Sequence, residues 1–198
     1  MKICLITQRG ESLPNRGETR DTLDRRLSLW VREAGLQPVP IPNIWLARGN
    51  GLEEWLNKIG ISAVILSGGG HPGDDPEREH TETGILKYAE RRELPVLGIC
   101  RGMQMMGVYA GASLVEVSGH VGARHMVEGT ITGEVNSFHN KALSGCPLGY
   151  QITSRSGDGV LESIRHKTLP WEGWMWHPER DQVFAQDFLA RFHGMLAG

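Results

Sequence analysis

The chain has 198 residues, 39% of them hydrophobic, and a formal net charge of −2. That is enough apolar chain to bury one sizeable core, and the near-neutral charge excludes a global field that would recruit nucleic acid or an anionic membrane surface. Three widely spaced cysteines, Cys4, Cys100 and Cys146, exclude a disulfide framework and suit a reducing, cytoplasmic setting.

The start, "MKICLITQRG", lacks the long apolar region of a secretory leader. No stretch approaches the ~20 apolar residues of a membrane span, and no Cys/His group has zinc spacing along the chain. "KICLITQ" (2–8) predicts a first strand, with a functional loop, "RGESLPNRG", after it. Residues 18–35 carry Leu23, Leu27, Trp30 and Val31 at helical spacing, and Gly35 ends that helix. "QPVPIPN" (37–43) predicts an edge strand, because its prolines cannot donate to a ladder. A short helix follows at 52–60, then an apolar strand, "SAVILSGGG" (62–70), that breaks into glycines. A helix at 77–93 leads to the strand "PVLGIC" and the helix "RGMQMMGVYAG", closed by Gly111. Beyond residue 112 come short β-like runs, "SLVEV", "GTITGEV", "YQITSRS", "GVLESIRH" and "WEGWMWH", and a closing helix over 181–196. Strands alternating with helices imply an α/β fold, a doubly wound, mostly parallel central sheet with helices on both faces, in a single domain over 1–198.

The turn at "GICRG" carries the first chemical signal. A tight strand-to-helix turn of the form X-Cys-X-Gly lifts its apex side chain out of the sheet, and Gly98 and Gly102 allow the close backbone approach. The start of a helix favours a thiolate. Cys100 is therefore a candidate nucleophile, which needs a base and a group to orient that base. "WMWHPERD" (174–181) supplies His177 and Glu179. Pro178 pushes His177 to an extended backbone, which puts residues i and i+2 on one face. Glu179 can then hold the imidazole in one tautomer, as the acid does in a Ser-His-Asp triad.

"ILSGGG", "GICRGMQ" and "MWHPE", in that order, resemble the class I glutamine amidotransferase superfamily, with its flavodoxin-like fold, and within it the γ-glutamyl hydrolase branch, peptidase family C26. The resemblance implies a Cys100–His177–Glu179 triad and an oxyanion hole from the amides of Arg101 and of Gly69 or Gly70. It implies that Gln104, one turn after Cys100, contacts the γ-glutamyl group, and that Asn136, Ser137 and His139 in "VNSFHNKAL" bind the substrate's polar ends. His125 in "GARHMVEG" also matches a family position, and His120 less clearly. His71, His80, His166 and His193 read as surface or satisfied histidines, Trp171, Trp174 and Trp176 as core and cleft wall, Cys4 as a buried strand residue and Cys146 as a loop thiol. The wider set "LITQRG…ETRDTLD", "GHVGARHMVEG", "NSFHNKAL", "LESIRHK" and "GWMWHPERD" is similar to the hydrolases of γ-glutamyl-CDP-amidate in capsule phosphoramidate synthesis.

The implied activity is hydrolysis of a γ-glutamyl amide through a thioester on Cys100, without metal or organic cofactor. The expected partner is a small γ-glutamyl molecule, with no nucleic acid and no membrane, and a homodimer is left open. Arg101 either meets an anionic part of the substrate, raises the thiolate population, or turns to a nearby carboxylate such as Asp74, Asp75 or Glu77. Arg9, Arg16 and Arg20 are the further cations a diphosphate leaving group would use. The alternatives are a γ-glutamyl-γ-aminobutyrate-type hydrolase, a glutaminase subunit feeding ammonia to a synthase, a non-catalytic module, or a cysteine redox protein.

Overall fold

A computed structural model describes residues 2–45 and 51–196. In chain order it holds strands β1 (Ile3–Thr7), β2 (Arg9–Leu13) and β3 (Glu18–Thr22), helix α1 (Arg25–Glu33), β4 (Gln37–Ile41), α2 (Gly51–Ile59), β5 (Ala63–Leu66), α3 (Pro76–Arg91), β6 (Val96–Ile99) and α4 (Arg101–Tyr109). There follow β7 (Leu114–Glu116), β8 (Val121–Gly129), β9 (Gly133–Phe138), β10 (Lys141–Leu143), β11 (Tyr150–Ser156), β12 (Leu161–His166), β13 (Trp171–Trp174) and α5 (Gln186–Met195).

Nine strands form one sheet in the order β4-β1-β5-β6-β13-β12-β11-β8-β9. The strands from β4 to β13 run parallel, and from β13 to β9 every pairing is antiparallel. The parallel strands read as unbroken apolar runs because both their faces are buried. Cys4, Ile6, Ala63, Ile65, Leu97 and Ile99 pack on one side with Leu27 and Trp30 of α1 and Leu189 and Phe192 of α5. Leu5, Val64, Leu66 and Val96 point the other way, into a layer with Leu56 of α2, Ile85 and Leu86 of α3 and Met103 and Met106 of α4. Helices thus cover both faces, as expected. The two prolines of β4 are tolerated because it is an edge strand, bonded only to β1.

The expected helix over 18–35 is corrected at its first half. Glu18–Thr22 pairs antiparallel with Arg9–Leu13, so the expected loop and the start of the helix form an exposed hairpin instead. The helix begins at Arg25 because the Asp24 carboxylate accepts from the Arg26 amide, 2.9 Å away. Such a cap contributes about 1 kcal/mol. The larger anchor is burial of Leu27, Trp30 and Val31, at ~1.5–3 kcal/mol for each large side chain. The closing helix is also shorter than expected, starting at Gln186; Arg26 lies over the Phe184 ring, 5.2 Å from its centroid, and fixes the preceding segment as a loop. Besides β2 and β3, two further strands have no counterpart in the sequence reading. β8 is exposed along most of both faces, so its residues show no clear alternation, and β10 has only three residues.

Candidate active site

Cys100 occupies the sharp turn between β6 and α4 with φ 52° and ψ −107°. Only the surrounding packing can hold a non-glycine residue there. Its amide donates to the Trp174 carbonyl at 2.7 Å, while its carbonyl accepts from Gln104 N at 3.1 Å. The bracketing glycines are required by contact. A Cβ on Gly98 would stand 2.7 Å from the backbone of Gly102 and Met103, and one on Gly102 would stand 2.0 Å from the Leu66 carbonyl oxygen.

His177 and Glu179 lie in the loop after β13. Their pairing is direct, with His177 Nδ1 2.7 Å from Glu179 Oε1. The backbone route differs from the extended one expected: Arg180 N donates to the His177 carbonyl at 3.1 Å. Pro178 therefore sits at the second position of a turn, where its fixed φ is favoured. The loop is clamped from two sides. Asn136 donates to the His177 carbonyl at 2.8 Å and accepts from the His177 amide at 2.9 Å. Arg26 Nε donates to the Glu179 carbonyl at 2.7 Å. Gly68 backs the ring, since a Cβ there would lie 2.6 Å from His177 Cε1. Burial works against a charged imidazole, but hydrogen bonds to Cys100 and Glu179 and their charges outweigh it, and hold the His177 pKa up at about 9.

The glycine turn after β5 is shaped from beneath by Arg78. Its guanidinium donates to the Ser67 carbonyl at 2.6 Å, to the Gly69 carbonyl at 2.7 Å and, at 3.4 Å, to the Gly68 carbonyl. In a trans peptide the next N–H points opposite to the C=O, so the amides of Gly69 and Gly70 face away from Arg78. Positive φ values of 94° at Gly69 and 71° at Gly70 make this turn a glycine task.

Arg78 and Arg101 share Glu82. Arg78 Nε lies 2.9 Å from Glu82 Oε1, Arg101 Nη1 donates to Glu82 Oε2, and Thr7 adds a hydroxyl to Oε1 at 2.8 Å. All three charged side chains are buried. Burial presses Arg78 down to about 10; burial, followed by the charge of Arg78, presses Arg101 down to about 9. The Arg101 guanidinium thus turns to a carboxylate, but to Glu82 and, at 3.8 Å, Glu79, rather than to Asp74, Asp75 or Glu77. Arg101 also lines a cavity across the glycine turn, with its Nη2 lacking a hydrogen-bond partner among the described residues.

A cavity of about 360 Å³ opens against His177 and Glu179, lined also by Arg9, Thr22, Leu23, Ser67, Gly68, Gly69 and Arg180. A second, of about 420 Å³, lies across the glycine turn and shares Arg9 and Gly69. Arg9 is therefore at the cavity wall as expected. Arg16 and Arg20 are exposed on the hairpin, where Arg20 pairs with Glu18.

Other expected binding residues do not face these cavities. Gln104 is fully buried and donates to the Lys141 carbonyl at 2.9 Å. Ser137 donates to the His120 carbonyl at 2.7 Å. His139 turns inward beside His120, His125 and Glu162. Asn136 spans the His177 backbone. These side chains turn into the protein, where Gln104 Oε1 and His139 Nε2 find no hydrogen-bond partner among the described residues, and the patch supports the loop rather than lining these cavities. His166 is satisfied, accepting from the Leu169 amide at 2.9 Å, and burial lowers its pKa. Trp174 and Trp176 stack in the core at 5.7 Å, Cys4 is buried and Cys146 is exposed.

Arg78 and Glu82 went unseen in the sequence because an i, i+4 Arg/Glu pair on a charged helix reads as a solvated face. The available signal was positional: 78, 81 and 82 continue the stripe that buries Ile85, Leu86 and Ala89. Arg26 carried no local signal at all.

A thiol, an imidazole held by a carboxylate, and outward amides on a glycine turn form the set that acyl transfer uses. The comparisons agree with that chemistry. The model of the family "Glutamine amidotransferase class-I" matches residues 32–192. γ-Glutamyl-CDP-amidate hydrolase of Campylobacter jejuni is 31% identical over 129 residues, covering 61% of this chain and 64% of that protein. The carbamoyl phosphate synthase small chain of Symbiobacterium thermophilum is 32% identical over 134 residues, covering 64% of this chain and 36% of that one. The chain thus spans less than two thirds of the length of either relative. A glutamine amidotransferase structure from Thermotoga maritima superposes with a TM-score of 0.65 at 17% identity, over 100% of this chain and 85% of that one. No helix among the described residues is long and apolar enough to cross a membrane. By its matched family, its fold and its elbow, the chain belongs to the class I glutamine amidotransferases.

Proposed function

We propose that this protein hydrolyses a γ-glutamyl amide, with Cys100 as nucleophile, His177 as acid and base, and Glu179 as the group that orients it. The observation that carries this reading is the strained Cys100 turn standing against a His177 held by Glu179 at 2.7 Å. The Cys100 sulfur, as thiolate, attacks the γ-carbonyl. Negative charge on the oxygen rests on the amides of Arg101 and of Gly69 or Gly70. His177 protonates the leaving nitrogen, then takes a proton from water as that water cleaves the thioester and frees glutamate. Protein groups supply every step.

For the substrate we favour a γ-glutamyl nucleotide phosphoramidate, γ-glutamyl-CDP-amidate, within the C26 branch and in surface polysaccharide synthesis. Its support is the 31% identity to the Campylobacter hydrolase and the placing of Arg9 between two adjoining cavities. The leaving-side cations in this reading are Arg9 and Arg180 at the first cavity, while Arg101, bonded to Glu82, lines the second. The second reading, a glutaminase part of a synthase, draws on the likeness to the carbamoyl phosphate synthase small chain. Glutamate release from γ-glutamyl-CDP-amidate, γ-glutamyl-γ-aminobutyrate and glutamine separates them. The hydrolase reading expects kcat/KM in that descending order with the isolated chain. A preference for glutamine would move the protein to the second reading, and no release from any of the three would remove both.

A further inference from the structure

Away from the cavities, three imidazoles converge on one carboxylate oxygen. Glu162, in β12, is fully buried. Its Oε1 lies 3.2 Å from His120 Nδ1, 3.4 Å from His125 Nε2 and 3.3 Å from His139 Nε2. None of these approaches has hydrogen-bond geometry. Among the described residues, those three nitrogens and both Glu162 oxygens are buried without a hydrogen-bond partner. Buried polar atoms are normally paired, and each orphan costs ~1–3 kcal/mol. Five orphans at one point require a cause.

The outer contacts of the rings decide what faces inward. His139 Nδ1 lies 3.1 Å from the Lys141 carbonyl oxygen. A carbonyl only accepts, so Nδ1 carries the proton and the neutral ring turns a bare lone pair at Nε2 toward Glu162. His120 Nε2 lies 3.0 Å from Asp158 Oδ2. The other Asp158 oxygen accepts from the Ser156 hydroxyl, so Asp158 acts as an acceptor here too and leaves His120 Nδ1 bare. Two imidazole lone pairs and a carboxylate oxygen then face one another. A cation among them resolves the conflict. Outer carbonyl and carboxylate partners of this kind are what orient imidazoles on a metal.

The spacing identifies the ion. Bonds of about 2.0–2.1 Å in tetrahedral geometry put neighbouring ligand atoms roughly 3.3–3.4 Å apart. The three separations from Glu162 Oε1, 3.2–3.4 Å, fit that edge. Ligand atoms of His120, His125 and Glu162 all lie within 4.8 Å of one another. Imidazoles with one carboxylate suit zinc, whereas magnesium and calcium prefer all-oxygen sets.

We propose that His120, His125, His139 and Glu162 hold a structural zinc ion that ties the β8–β9 hairpin to β12. His120, His125 and Glu162 form the close group, and His139, 3.3 Å from Glu162 Oε1, would move in as the fourth ligand and leave no open position, which is the mark of a structural site. Its reach toward the catalytic loop is short: Ser137 Oγ binds the His120 carbonyl, and the preceding residue, Asn136, grips His177. His125, with 19% of its side chain exposed, marks the way in.

The test uses the full chain carrying Cys100→Ala, which removes the reactive thiol as a rival zinc ligand. After chelation and dialysis, zinc is titrated by calorimetry, bound metal is counted by mass spectrometry and Tm is followed. One zinc per chain is expected, with Tm raised by zinc and lowered by chelator, and with tetrahedral d–d absorption when cobalt(II) replaces it. His125→Ala, at the least buried ligand, should lower zinc affinity by about 100-fold or more. Glu162→Gln should do the same. If Glu162→Gln does not fold, His125→Ala carries the test alone. No tight zinc binding, or equal binding by the parent and His125→Ala, would overturn the proposal. A doubly protonated ring at His120 or His139 in NMR, with zinc without effect, would also overturn it and show that a proton fills the role.

Discussion

Under the glycine turn, at the parallel end of the sheet, buried charges meet in matched pairs. Glu82 receives Arg78, Arg101 and Thr7, and Arg78 spends its remaining donors on the carbonyls of residues 67 to 69. At the antiparallel end, Glu162 meets three imidazoles and no donor is aimed at it with hydrogen-bond geometry among the described residues. The first cluster pairs its charges within the protein, with Arg101 Nη2 left without a hydrogen bond, whereas the second sets two bare imidazole nitrogens against a carboxylate. The paired network fixes the turn that presents the Gly69 and Gly70 amides, and the unpaired one is the site proposed for zinc. The catalytic loop lies between them, touched by Gly68 from the parallel side and by Asn136 from the antiparallel side.

The largest effect that sharpens this contrast falls on chemistry alone. Cys100→Ala should cost about 10⁴-fold or more in kcat while leaving the denaturation midpoint close to that of the parent, because the change removes a single sulfur atom from the buried cluster that Cys100 joins. Steady-state assay beside urea unfolding reads both, and a destabilised, partly active variant would reverse the assignment of that turn.

Next in size, Glu82→Gln should destabilise the fold by about 3–5 kcal/mol, because it leaves Arg78 and Arg101 buried against one neutral amide. Urea midpoints measure it. A loss under ~1 kcal/mol, the range of an exposed pair, would break the picture of a closed network.

Asn136→Ala attacks the loop from the other side. Two hydrogen bonds to the His177 backbone are lost, each worth ~1 kcal/mol, so kcat should fall about 10-fold or more with KM little changed. A change confined to KM would place Asn136 in the binding site after all.

Arg9→Ala should lower kcat/KM for γ-glutamyl-CDP-amidate by about 10-fold or more, the loss of one charge-assisted bond, and leave that for glutamine nearly unaltered. Equal losses on both substrates would remove Arg9 from leaving-group recognition.

The smallest effect is a titration. His177 has its folded pKa raised from 6.5 to about 9. Its contribution to stability is therefore fully present below pH 6.5 and is lost as pH rises through about 9. The acid needed for the leaving nitrogen fails over the same window, so the alkaline limb of acylation should fall near pH 9. In Cys100→Ala the imidazole loses one hydrogen bond and one charge partner, so its NMR titration should move down. An unmoved titration would deny the Cys100 contact.

The elbow, the glycine turn and the H-x-E pair were legible in the sequence because each is local: a few adjacent residues dictate the turn and the chemistry. The alternating strands and helices of the first hundred residues were legible for the same reason, through period and length. The hairpin at 9–22 was not, since Thr19, Asp21 and Leu23 fit a helical or an extended pattern equally, and the pairing with residues 9–13 decided it. Buried clusters were the least visible. Glu162 meets His120, His125 and His139 only after an antiparallel sheet brings β8, β9 and β12 together, so no spacing along the chain announces them. "NSFH" carried a family signal, but its side chains turn inward, and a motif does not say which way it points.

The central claim, that Cys100 carries the γ-glutamyl group in the reaction, is tested most directly by acid-quenching the enzyme during turnover of γ-glutamyl-CDP-amidate and mapping adducts by peptide mass spectrometry. A γ-glutamyl adduct on Cys100, absent from Cys100→Ala along with glutamate release, is the predicted result. Glutamate release that persists in Cys100→Ala, or an adduct on Cys4 or Cys146 in place of Cys100, would contradict it.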